Sequence, residues 1–447
     1  MHDPLSSADL AADELRQRRE SGYDIAQLAA DLARTSPDED AALEVIYQAL
    51  LRTQKREDWP YAEPDALDDI LAAMPVATSP FDQTTADPDR LDDRILGGWL
   101  GRIAGCNLGK PIENGDFWTP ERIRSYLKLA DAYPLRDYIP ALDPMPAGYH
   151  LQDSWLETTR GRIAGSARDD DIDYAIIAVW LLEQYGHNFD RSDVAAAMLA
   201  FLPYLRVFTA ERAAMVNLLH RVPVERVAEV RNPYREWIGA LIRVDVYGWT
   251  CPGRPEDAIR LAYADATLTH RRNGVYGALW AAALVSAACT ATSVREAVEV
   301  SLGYLPSGSR LAEAVHGVYD DFCRGASWEE AVDAIRHRYG HYSWVHTVNN
   351  ACLISAGLLW GADDYAATVG LTVQGGWDTD SSGATAGSVV GTVLGAAALP
   401  AHFVVPLQDR TRSAVFGYDH SRISDLAART VRLAEQGLPG RRSRVRS

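Results

Sequence analysis

The stretch GATAGSVVGTVLGAAAL, Gly383 to Leu399, decides the fold class. Its Gly, Ala and Ser side chains are small enough to let helix backbones approach closely. Apolar stripes of period 3.6 recur elsewhere, around Ile95 to Ile103, Tyr174 to Tyr185, Asp193 to Leu202, Ala258 to Thr267, Val275 to Cys289, Val294 to Leu302, Asn349 to Leu359 and Ala384 to Ala398. Alternating strand patterns are hardly visible, and no tandem repeat recurs at a fixed period. The expected architecture is all-α, a compact multi-helix bundle.

Outward from that bundle, residues 8 to 74 carry apolar positions at helical spacing, such as Ile25, Leu28 and Leu32, then Leu43, Ile46, Tyr47, Leu50 and Leu51. The pattern breaks at DWPYAEPD and resumes in a short DDILAAMP. ATSPFDQTTADPD, Ala77 to Asp89, is polar and punctuated by proline, which marks a linker. Three units are therefore expected: a helical extension with its linker over 1–88, a catalytic domain over 89–435, and a basic tail over 436–447.

With 447 residues and 47% apolar composition the chain can bury a large core. A net charge of -17 repels a nucleic-acid backbone, and the single basic patch is the tail Arg441, Arg442, Arg444 and Arg446. No run reaches the roughly 18 apolar residues a membrane helix requires. The five cysteines form no CxxC pair, which argues against a zinc ribbon or a disulfide framework. The start, MHDPLSSADLAADELRQRRE, lacks an apolar signal region, so a cytoplasmic location is expected.

Three segments can carry chemistry. Arg168, Asp169, Asp170, Asp171, Ile172 and Asp173 lead straight into the helical YAIIAVWLLEQYG. Acids at a helix start satisfy capping and the dipole, yet adjacent carboxylates are also what a hard divalent cation needs. Gly375, Gly376, Trp377, Asp378, Thr379, Asp380, Ser381, Ser382 and Gly383 set two acids two residues apart, with a hydroxyl beside them and glycines that permit a tight path. An Asp N-cap accounts for one of those acids; metal binding accounts for the set. GGWLGRIAGCNLGKPIE, Gly97 to Glu113, is a Gly-spaced helix ending in a Gly-Lys-Pro turn with one acid after it. It lacks the GxxxxGK[ST] run of a phosphate loop.

Taken in this order, the three segments resemble the ADP-ribosylglycohydrolase family. The family's Gly-Asp-Ala-Leu-Gly turn with Pro and Glu following is matched by Gly105, Cys106, Asn107, Leu108, Gly109, Pro111 and Glu113. Its Thr-Asp-Asp-Thr element is matched by Asp169, Asp170, Asp171 and Ile172, and its Gly-Gly-Asp-Thr-Asp-Thr by Asp378, Thr379, Asp380 and Ser381. Thr269 and His270 resemble its Thr-His step into a core helix. Cys106, Asp169 and Ile172 depart from the pattern, and Asp169 adds a charge expected to favour bound metal.

The resemblance implies an all-α fold with two magnesium ions in a central cleft, manganese being the alternative ion. It implies Asp169, Asp170, Asp171, Asp378, Asp380 and Ser381 as ligands. Glu113, with Asp170 and Asp380, makes the catalytic set. Glu113 would serve as base or acid in an oxocarbenium-like cleavage at the ribosyl C1, with metal-activated water as nucleophile. Asn107, Tyr149, His270, Asn273 and Trp377 are the candidate substrate contacts. For each a structural role is the competing reading: His270 and Asn273 as caps, like Asn349 and Asn350, and the aromatics as packing.

Three functions stand as expectations. The first is removal of ADP-ribose from a modified protein. The second is hydrolysis of a nucleoside-like bond in a small metabolite, with Asp131 to Thr159 as a lid that encloses it. The third is a non-catalytic ADP-ribose-binding or structural member. The segments VFTAERAAMVNLL, NPYREWIGALIRVDVYGW and HYSWVHTVNNA look like a bacterial subgroup with a helical preface.

Overall fold

The computed structural model describes residues 6–75 and 88–437. Among these every regular element is a helix, and the only bridge pairings are Tyr23 with Lys55 and Trp237 with His346. The all-α expectation is met. Most of the expected linker and the basic tail fall outside the described residues.

The helix Asn273–Ala288 runs through the centre with every residue buried, as its all-round apolar composition requires. Pro255–Ala266, Val294–Leu302 and Thr347–Gly361 pack around it. Beside this centre lies the pair of helices on which the site depends, Pro88–Gly109 and Thr379–Leu394.

These two cross antiparallel with glycine against glycine. A Cβ added at Gly97, Gly101 or Gly105 would lie 2.3, 2.2 or 2.0 Å from the carbonyl oxygens of Gly391, Gly387 and Gly383. At Gly109 it would lie 2.1 Å from that of Thr379. No side chain larger than hydrogen fits at these steps, so backbone meets backbone from Gly97 to Gly109. The first helix starts at Pro88, ahead of the apolar stripe that begins at Ile95, and the second stops at Leu394 rather than running to Ala398. Gly395 takes φ +85°, a conformation that ends a helix readily.

The amino-terminal segment forms Ser7–Glu20, Ala26–Arg34, Asp40–Leu50 and Leu67–Ala73. Leu15, Ile25, Ile46 and Leu50 make a small core of their own. Buried charge joins it to the rest. Arg235 pairs with Glu14 at 2.8 Å, Gln17 donates to Glu236 at 2.8 Å, and Arg310 pairs with Glu63 at 2.8 Å. The non-helical Asp58 to Asp65 stretch is the strap that delivers Glu63. Among the described residues no helix is long and apolar enough to cross a membrane.

Candidate metal centre

The glycine-to-glycine crossing fixes what stands at its open end. The helix Pro88–Gly109 runs out into Lys110, Pro111, Ile112 and Glu113, while Thr379–Leu394 begins with Asp378 as its N-cap. Thr379 Oγ1 donates to the Gly109 carbonyl at 2.8 Å, which ties the two ends together. One carboxylate oxygen each of Glu113, Asp378 and Asp380 then lies within 4.8 Å of the others.

The Asp378 turn is itself held under strain. Gly376 and Trp377 are both left-handed, at φ +78° and +61°. Asn350 pins the residues after them: its Oδ1 accepts from the Asp378 N–H at 3.2 Å and from Ser382 Oγ at 3.3 Å, while its Nδ2 donates to the Trp344 carbonyl at 2.8 Å.

The third contributor is the helix Asp170–Tyr185, capped by Asp169, whose Oδ1 accepts from the Asp171 N–H at 3.0 Å. Arg102, fully buried, anchors this helix start. It donates to the Asp171 carbonyl at 3.0 Å, to Asp171 Oδ1 at 3.2 Å and to Asp245 Oδ2 at 2.6 Å. Ser381 Oγ donates to Asp171 Oδ2 at 3.1 Å, closing the link to the Asp378 segment. Asp169, Asp171 and Cys106 form a second group within 4.8 Å.

Burial and then the charge of Asp380 push the Glu113 carboxyl well above the usual carboxylate range. Asp378 is raised for the same two reasons in the same order. Asp170 and Asp171 are raised by burial and by Asp169. Asp169 goes the other way: burial acts to raise it, but Lys110 and then Arg168 overcome that and hold it down at about 2. The extra charge at Asp169 is thus already matched, because Lys110 Nζ donates to its Oδ2.

These acids floor a cleft of about 540 Å³. The three segments that the sequence singles out without a role form its walls: Phe208, Thr209 and Glu211 from the first, Trp237 to Ile242 from the second, and His341 to Val345 from the third. Asp13 and Arg16 of the amino-terminal helix also line it. All the expected ligands and Glu113 face this one space. The expected substrate contacts do not. Asn107 is 1% exposed and spends its amide on Ile103, Ser166 and Ala167. Asn273 bonds Glu63, Glu236 and Leu311. His270 is buried on Thr269, and burial followed by Arg243 keeps it neutral. Tyr149 packs 5.7 Å from Trp118, and Trp377 lies under Arg336.

Residues 131–159 do not line the cleft either. They brace the Glu113 turn from behind, with the Gln152 N–H on the Pro111 carbonyl at 2.8 Å and its side chain on the Glu113 carbonyl. The sequence reading assigns no role to Arg102 or Lys110. Arg102 carries a signal, since a lone Arg inside the apolar run WLGRIAG needs a buried partner. Lys110 carries none, because a Gly-Lys-Pro turn also suits a solvated lysine.

Residues 87–439 match the family model described as ADP-ribosylglycohydrolase. No curated protein matches the chain. Among solved structures, a chain of an ADP-ribosylglycohydrolase-related protein complex is similar at 19% identity and a TM-score of 0.44. That similarity covers 77% of this chain and 99% of the other.

Proposed function

Since the chain belongs to the ADP-ribosylglycohydrolase family, we propose that it is a magnesium-dependent hydrolase breaking the C1 bond of a ribosyl group. The observation that carries this reading is the meeting of Glu113, Asp378 and Asp380 at the floor of one cleft, beside Asp170 and Asp171. The donor set fits a hard divalent cation. It offers carboxylate oxygens, Asp378 and Asp380 are 4% and 3% exposed, and burial followed by the charge of Asp380 raises both Glu113 and Asp378.

Magnesium bound there would supply Lewis acidity and a water activated near neutral pH. The remaining work belongs to side chains. Glu113, which burial and then Asp380 push above the usual carboxylate range, is suited to give a proton to a leaving group or, once ionised, to take one from water. Asp170 lines the cleft and is suited to orienting a ribose hydroxyl. Phe208, Trp237 and Trp344 give the same cleft apolar walls.

One observation favours the small-metabolite version over protein-linked ADP-ribose. The cleft carries Asp13 and Asp116 besides the metal-binding acids, and of its Lys and Arg side chains Lys110 is engaged on Asp169 and Arg168 on Asp173 at 2.6 Å, which leaves Arg16 for an anionic ligand. Such walls offer a diphosphate little and suit a ribosyl group with a neutral or cationic leaving group. The test is a magnesium-supplemented screen of ADP-ribosyl-arginine, ADP-ribosyl-serine, NAD and simple nucleosides, with products identified by mass. Nucleoside turnover without ADP-ribosyl turnover is the expected result. Release of ADP-ribose from the modified amino acids would restore the protein-linked reading, and no release from any of them would favour the non-catalytic one.

A further inference from the structure

We infer that Lys110 occupies, as a resident ammonium, the place of one of the two cations the family resemblance implies, so that this cleft holds a single divalent ion. The inference rests on the metal-dependent reading above and concerns the number of ions. The two acidic groups differ in what already balances them. In the group of Cys106, Asp169 and Asp171, each carboxylate has a protein partner. Asp169 Oδ2 takes the Lys110 ammonium and its Oδ1 the Asp171 N–H, while Asp171 takes Arg102 on one oxygen and Ser381 Oγ on the other. The remaining donor, Cys106 Sγ, is a soft atom mismatched to magnesium.

In the group of Glu113, Asp378 and Asp380 the only nearby cation among the described residues is Lys110, 3.8 Å from Asp380 Oδ2. The Lys110 ammonium therefore stands between the two groups, paired with the first and merely adjacent to the second. A divalent ion bound at Glu113, Asp378 and Asp380 relieves the repulsion among them. A second one bound at Asp169 would have to displace an ammonium paired with Asp169 and 3.8 Å from Asp380. Lys110 cannot swing far, since its side chain is 17% exposed and rises from the turn fixed by Thr379 on Gly109.

The experiment counts ions on the full-length protein, by titration calorimetry with magnesium chloride and by bound manganese in electron paramagnetic resonance. The wild type should take up one ion per chain, Lys110→Arg should also take up one, and Lys110→Ala should take up two. Two ions on the wild type overturn the inference and leave the metal-dependent reading intact. One ion on a folded Lys110→Ala shows that Lys110 excludes nothing and overturns it equally. No ion on the wild type overturns both. Should Lys110→Ala not fold, the wild-type count and the manganese coupling signal of a paired site still decide.

Discussion

Gly105 and Gly383 touch backbone to backbone: a Cβ on either would stand 2.0 or 2.6 Å from the other's carbonyl oxygen. This contact, near the open end of the crossing, sets how far Glu113 lies from Asp378 and Asp380. Gly105→Ala should therefore lower stability by about 1–3 kcal/mol, the usual cost of overpacking, and weaken magnesium binding at least several-fold. Gly317→Ala is the control. Gly317 sits within the helix Arg310–Cys323, where a new Cβ meets only the Arg338 guanidinium at 3.4 Å. That change should be neutral or stabilising by up to about 1 kcal/mol. Urea melts with calorimetry check both, and unchanged magnesium affinity in Gly105→Ala would break the link between crossing and site.

Arg102 is the buried clamp between Asp171 and Asp245. Arg102→Met leaves two buried carboxylates without their cation, which costs about 3–5 kcal/mol in comparable pairs. The start of the helix Asp170–Tyr185 should loosen as well, because Arg102 also holds the Asp171 carbonyl. Hydrogen exchange should show lost protection first at residues 170–175. A variant as stable as the wild type would mean that the pairing contributes nothing net.

An ion held by Glu113, Asp378 and Asp380 binds the folded chain and not the unfolded one, so the metal-free protein should be the less stable form. A ligand at 100 times its dissociation constant adds about 2.7 kcal/mol to the folded state. Chelation should thus lower Tm by several degrees, and magnesium should restore it. Asp378→Asn removes part of the repulsion and a ligand together, so its chelated form should melt higher than the chelated wild type and respond less to magnesium. Differential scanning fluorimetry at fixed pH reads both effects, and identical melting curves with and without chelator would count against a metal centre here.

Much of this architecture is legible in residue patterns. The long helices announce themselves through period 3.6, and Val294–Leu302 matches its apolar stripe end to end. Arg310–Cys323, Trp328–Tyr339 and Ile423–Gly437 also separate an apolar from a polar face, yet they are not among the stripes named from the sequence. The acids that share the cleft are readable because they stand in short local motifs. Which distant segments wall the cleft is not, since Trp237 and Trp344 reach it only through tertiary packing. Asn107, His270 and Asn273 mislead for a related reason: buried polar residues beside motif positions look alike whether they face a ligand or satisfy backbone groups.

Glu20 gives the pH dependence its sign. The residue is 5% exposed at the end of the helix Ser7–Glu20, and burial, opposed by Arg16 and reinforced by Glu236, pushes its carboxyl from the ordinary 4.5 up to about 8. A folded-state pKa above the unfolded one means that the folded chain holds the proton more tightly. The associated stability is complete below about pH 4.5 and is lost as pH rises toward about 8, with a limiting slope of roughly 1.4 kcal/mol per pH unit for one fully shifted group. Glu20→Gln imitates the protonated acid at every pH. It should match the wild type at pH 4.5 and exceed it by on the order of 1–4 kcal/mol at pH 7.5. Paired urea melts at the two pH values isolate the effect, because other titrating groups are common to both proteins. Parallel pH profiles for the two would show that Glu20 is charged in the folded state and balanced by Arg16 or Arg310.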